Sequence, residues 1–175
     1  MARLTRQQEL DVHVDFYGRT LQELHDTFVP VPYPDGHVGG RFVSEYPGRI
    51  DVESAGHTHT AALRVEVWDG EPPAEAPGSW DEQGDVRIRS ESGQLIVWGV
   101  AGGPMPETVR LSDTGGTRRA RIRCTGREEV RRLAQQGVAH GVERYLAQLW
   151  PDSESTTAES GGVRVRSGGP AATGP

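Results

Sequence analysis

The 175-residue chain predicts a mainly β fold, an antiparallel β-sandwich of about seven to eight strands with one short helix near its C-terminal end. Three observations predict it. Apolar and polar residues alternate in segment after segment, as on strands with one buried face. Breaks rich in Gly and Pro separate these segments at short intervals. Only one stretch, Arg127–Gln136, changes clearly to a helical period.

The first strand is read in Leu10–Tyr17, where Leu10, Val12, Val14 and Phe16 face one way and Asp11, His13 and Asp15 the other. Residues 1–9 show no such alternation and are expected to form a flexible N-terminus. Thr20–Phe28 has room for a turn of helix. Pro30, Pro32, Pro34, Asp35-Gly36 and Gly39-Gly40 then predict a long loop.

Alternation resumes in Arg49–Glu53 and in Thr60–Trp68, with Ser54-Ala55-Gly56 between them as the turn of a hairpin. Glu71–Gly84 is an acidic, Pro-rich loop. Asp85–Arg89 and Gln94–Val100 form a second predicted hairpin around Glu91-Ser92-Gly93. The nearly all-apolar QLIVWGV is expected at the centre of a sheet, covered on both faces. Thr108–Leu111 and Arg118–Thr125 follow as strands, the second with Ala120, Ile122 and Cys124 inward and its arginines on the wet side.

Thr125-Gly126-Arg127-Glu128 fits a capping box, and Val130, Leu133 and Ala134 form the stripe of a helix that Gly137 can end. The residues after it fit a helix or a strand. Gly137 and Gly141 would each cost about 1 kcal/mol inside a helix, which favours a helix to Gln136 and a strand over Glu143–Leu149, ending at Pro151. Residues 152–175 are Ser, Thr, Gly, Pro and Ala with little apolar surface, and a disordered tail is expected. Residues 10–151 then make a single domain.

Composition narrows the function. All 19 basic residues are Arg, with no Lys and no Asn, a bias that belongs to a GC-rich genome rather than to phosphate recognition. A net charge of −6 argues against a nucleic-acid partner. There is no signal-peptide core at the N-terminus, and no run approaches the roughly 18 apolar residues of a membrane span. A cytoplasmic protein is expected. The single cysteine, Cys124, excludes an intrachain disulfide framework and a Cys-rich zinc site.

Chemistry-bearing residues are few. His57 and His59 are two apart, so on a strand both would share a face, and His13 could complete a metal site for zinc, nickel or iron. The plainer reading is a solvated strand face that binds no cofactor. No G-x-S-x-G elbow or P-loop occurs, and no catalytic residue is assigned. Arg119, Arg121 and Arg123 alternate on one strand face and could receive an acidic partner, or simply face water. Trp80, inside the acidic loop, is a candidate anchor for a protein partner.

The segments VEVWDGEPP (65–73), RARIRC (119–124) and ERYLAQLWP (143–151) resemble a family of uncharacterised actinobacterial proteins, with a strand entering an acidic "EPP" loop and a final strand ending in Trp-Pro. More distantly, the order of the late strands is similar to competence protein J, the small inhibitor of a DNA-entry nuclease. The near resemblance implies a β-sandwich with no established activity, and the distant one implies a protein that works by binding a protein, with no catalytic residue to carry over. Two readings stand: a non-enzymatic cytosolic protein acting by protein binding, of inhibitor or immunity type, and a metal- or small-ligand-binding protein using His13, His57 and His59.

Overall fold

Alternation is realised as two stacked sheets. The computed structural model describes residues 1–25, 34–74, 78 and 80–153. Their elements are β1 (Leu4–Val14), β2 (Gly18–Glu23), β3 (Val43–Tyr46), β4 (Arg49–Glu53), β5 (His59–Trp68), β6 (Glu82–Ser90), β7 (Gln94–Gly99), β8 (Gly103–Arg110), β9 (Gly116–Thr125), α1 (Arg127–Leu133) and β10 (His140–Pro151). One sheet has the order β1-β5-β10-β9-β6 and the other β3-β4-β2-β7-β8. Leu10, Val12, Val14, Leu63, Val65, Ile122 and Leu149 of the first meet Leu21, Ile50, Val52, Leu95 and Val97 of the second in one core.

The predicted sandwich and its single helix stand, with ten strands among the described residues. Neighbouring strands are antiparallel except β5 and β10, which run parallel with Tyr145 opposite Leu63 and Leu149 opposite Val67. Strand β10 lies between β5 and β9. Its outward residues Leu146, Gln148 and Trp150 are buried as well as its inward ones. The strand covered on both faces is therefore β10. In β7, by contrast, Leu95 and Val97 are buried while Ile96 and Trp98 are half-covered.

Several sequence expectations are corrected. Residues 4–9 are not a loose terminus: they extend β1 along β5, with Gln7 opposite Glu66 and Glu9 opposite Arg64. Backbone pairing holds them, and because both faces are largely exposed no alternation betrays it. Thr20 does not begin a helix; residues 18–23 are strand β2, while 26–33 lie outside the described residues. Both predicted hairpins are corners instead. β4 and β6 each turn into a strand of the opposite sheet, so 54–56 and 91–93 carry the chain across the sandwich. Asp152 is buried and donates its N–H to Thr117 O at 3.1 Å, so it belongs to the fold, and the tail beyond residue 153 lies outside the described residues.

The helix forms, but without the Thr125–Glu128 capping box. Gly126 stands at the N-cap with φ 82°, and no side chain of its own turn caps it. A Cβ there would lie 2.2 Å from Val142 O, so only glycine fits. Asp81 of the acidic loop supplies the cap, its carboxylate accepting from Arg127 N at 3.0 Å. Val130 then packs with Ala55 and Ala139 to fasten α1 over the β4–β5 corner.

Candidate functional site

Buried carboxylates tie down the turns at the edges of the sandwich. Glu23 accepts from the backbone N–H of Glu91 at 2.8 Å and of Ser92 at 3.3 Å, fixing the β6–β7 corner. Asp15 accepts from Ala101 N at 2.8 Å and Gly102 N at 2.9 Å, fixing the β7–β8 turn. Glu143 accepts from Ala55 N at 3.0 Å and fixes the β4–β5 corner. A carboxylate stripped of water stays charged only where such donors replace hydration.

At the corner held by Glu143 a Ser–His–Glu group assembles, and it invites a test as a hydrolytic triad. The Ser54 hydroxyl donates to Glu143 Oε2 at 2.5 Å and lies 2.8 Å from His59 Nε2. The hydroxyl has one proton, and Glu143 takes it, so Nε2–H of His59 donates to Ser54. A nucleophile needs the reverse polarity. His59 and Glu143 are wholly buried and Ser54 nearly so. Arg127 Nη1, 3.6 Å from Glu143 Oε1, also donates to Glu53 O at 2.9 Å. Burial pushes the Glu143 carboxyl up, but His59, Ser54 and the Ala55 N–H outweigh it and hold it at about 2. The group is an internal clamp with no space for a substrate, and Gly56 closes it: a Cβ there would meet the His59 ring at 2.7 Å.

Beside the clamp, cations and rings stack between the sheets. The Arg127 guanidinium stands 5.2 Å from the Phe42 ring centre, Phe42 lies parallel to Tyr145 at 6.4 Å, and the Arg19 guanidinium lies over the Tyr145 ring at 3.5 Å. Arg19, only 2% exposed, is thus buried with its guanidinium on an aromatic face. Cys124 lies in the same interior, and burial pushes its thiol up to about 12. It packs as a small apolar group, as its inward position predicts.

The surface above the clamp has a different character. Between β1 and β2 the chain reverses in two residues, Phe16 and Tyr17, at φ 48° and 63°, closed by Gly18 N donating to Asp15 O at 2.9 Å. Positive φ at both central positions is the type I′ geometry that Asn-Gly normally fills. Aromatic residues held there cost on the order of 1–3 kcal/mol each. Neither ring is buried in return, since Phe16 is 60% and Tyr17 49% exposed. His57 packs edge-on to both, with ring centres 5.2 and 4.9 Å away. Val100 lies against Gly18, exposed, and Val138, beside Ala139 on the same corner, is exposed too. Four of the large exposed apolar side chains thus gather at one end of the sandwich.

The residues proposed from sequence are distributed differently. His13 and His57 are exposed, whereas His59 points into the core. His57 lies outside the strand in a bend, so the His-Thr-His pair does not share a face. The metal site of His13, His57 and His59 is not formed, and among the described residues no group of three His, Cys, Asp or Glu could hold a metal ion. The arginine face is not simply wet. Arg121 bonds Glu71 of the acidic loop and Asp85, opposite it on β6, at 3.0 Å each and stands 5.2 Å from the Trp150 ring centre. Arg123 is buried against the Trp80 ring at 5.7 Å, and Arg119 alone of the three is exposed. Trp80 is half-buried and lines a groove of about 590 Å³ with Arg121 and Arg123. These residues hold the acidic loop onto the outer face of the sheet.

Sequence reasoning missed Phe16 and Tyr17. Alternation carried Phe16 into the core with Val12 and Val14. The overlooked signal was Asp15 and Gly18, three apart, which are the favoured first and last residues of a tight turn.

Fold and end surface together define a two-sheet β-sandwich that displays exposed apolar side chains at one end. No family model matches the chain and no curated protein does, so the actinobacterial resemblance finds no support. The distant resemblance holds at the level of fold. The chain is similar to the crystal structure of ComJ, inhibitor of the DNA-degrading activity of NucA, from Bacillus subtilis, with a TM-score of 0.57 and 13% identity over 87% of this chain and 99% of that one. It is similar to the protein of crocagin biosynthetic gene J at the same TM-score and identity, over 84% of this chain and 97% of that one. No helix among the described residues is long and apolar enough to cross a membrane.

Proposed function

We propose that this protein acts in the cytoplasm without catalysis, by inserting the Phe16–Tyr17 turn into a cleft of a protein partner in the manner of an inhibitor. The observation that carries this reading is the strained, clamped and exposed aromatic pair. Strain that gains no burial within its own chain points to a role outside it. A convex turn of two aromatics needs a concave, apolar receptor, and aromatic residues preorganised in this way are the usual anchors of protein interfaces. The likeness to ComJ, itself an inhibitor of a nuclease, supports the same reading and makes a nuclease the first partner to try.

The test is affinity capture with the wild-type chain and with a Phe16→Ala, Tyr17→Ala variant, partners being identified by mass spectrometry. A partner held by the wild type and released by the variant is expected. Equal retention by both would overturn the reading.

A further inference from the structure

We infer that Glu143, wholly buried and on a different strand, is a positioning residue for the Phe16–Tyr17 turn. This rests on the reading of that turn as the binding site and adds how its shape is kept. The connection is two hydrogen bonds long. Glu143 holds the β4–β5 corner at both carboxylate oxygens, through Ala55 N at 3.0 Å and the Ser54 hydroxyl at 2.5 Å. The same corner holds the turn, because Ser54 N donates to Tyr17 O at 2.8 Å and Tyr17 N donates to His57 O at 3.1 Å. Gly56 N donates to the Ser54 hydroxyl at 3.0 Å, which braces the corner from which both bonds are made.

The turn cannot hold itself. Its own closure is the single bond from Gly18 to Asp15, and left-handed Phe and Tyr would relax toward ordinary φ once the outer bonds loosened. Glu23 does equivalent work at the β6–β7 corner, with its carboxylate on the Glu91 and Ser92 N–H groups, and none of its bonds reaches the turn. It is therefore the matched control for a buried carboxylate whose role is merely structural.

The experiment is amide hydrogen exchange by NMR on the isolated full chain in wild-type, Glu143→Gln, Ser54→Ala and Glu23→Gln forms. Local opening of the corner makes the Tyr17 and Ser54 amides exchange about tenfold faster or more in Glu143→Gln and Ser54→Ala, with Val97 in β7 unchanged. Glu23→Gln is expected to speed Ser92 and leave Tyr17 as it was. Should Glu143→Gln fail to fold, Ser54→Ala carries the test alone. An unchanged Tyr17 amide in a folded Glu143→Gln, an unchanged Tyr17 amide in Ser54→Ala, or an equal acceleration in Glu23→Gln overturns the inference. No partner is present in this experiment, so its failure leaves the binding reading standing, and a failed capture experiment leaves the linkage standing.

Discussion

Tyr17 and His57 are joined twice: the Tyr17 N–H donates to the His57 carbonyl at 3.1 Å, and the two rings meet edge-on at 4.9 Å. One residue belongs to a turn between β1 and β2 and the other to the corner between β4 and β5. The pair therefore fixes an exposed aromatic surface to two separate crossings of the sandwich. Both crossings are anchored from inside by carboxylates, Asp15 and Glu143.

The strain in the turn is measurable in the absence of a partner. Replacing Phe16→Asn and Tyr17→Gly together installs the residues that type I′ turns favour. Stability is expected to rise by about 1–2 kcal/mol, read as a higher denaturant midpoint with an unchanged slope. A fall in stability would show that the aromatic rings contribute more to the fold than their left-handed backbone costs.

Acid should unfold the protein through Glu143. Its carboxyl is held at about 2 against an ordinary 4.5. A depressed carboxylate stabilises the fold fully above its unfolded value, and the contribution is lost as pH falls from 4.5 through about 2. The gap corresponds to about 3 kcal/mol at roughly 1.4 kcal/mol per pH unit. Urea titrations between pH 6 and 2.5 are expected to show this decline, and Glu143→Gln to remove its Glu143 component.

Cys124 should be chemically silent. Its thiol is buried and pushed up to about 12, which leaves almost no thiolate at neutral pH. A maleimide at pH 7.5 is expected to label the native chain negligibly and the urea-unfolded chain completely, as judged by intact mass. Rapid native labelling would mean that the β9 region opens far more readily than its packing indicates.

Charge reversal at Arg121 should act on the fold. Arg121→Glu would set a new carboxylate beside Glu71 and Asp85 and uncover Trp150. A lower melting temperature is expected, by several degrees for a loss of 1–2 kcal/mol. Arg119→Glu, at an exposed position, is expected to leave it nearly unchanged.

Sequence carried the fold class because a one-sided strand writes its period in apolar side chains, as Leu10, Val12 and Val14 or Leu63, Val65 and Val67 show. It missed Leu4–Glu9, where backbone pairing alone places the strand and the side chains face water. The breaks at 54–56 and 91–93 carry the signature of hairpin turns, because a Gly-containing break looks the same whether the chain doubles back or crosses to the other sheet. Long-range partners were illegible for the same reason. Nothing local links Asp81 to the Arg127 N–H, Glu71 to Arg121, or Glu143 to Ser54, 89 positions away. The arginine strand therefore looked available when an acidic loop already covered most of it. The His57–His59 spacing gives a shared face only where both residues lie on a strand, and β5 begins at His59. Phe16 and Tyr17 were hidden by their own hydrophobicity, which reads as core unless the turn formed by Asp15 and Gly18 is noticed first.

Calorimetric titration of the captured partner with the wild-type chain and with the Phe16→Asn, Tyr17→Gly variant measures what the turn contributes to binding. Loss of two aromatic anchors at the centre of an interface predicts at least a thirtyfold or so weaker Kd, corresponding to about 2 kcal/mol, in a variant that folds as well as the wild type or better. An unchanged Kd with the relaxed turn would contradict the claim that this end of the sandwich is the binding surface.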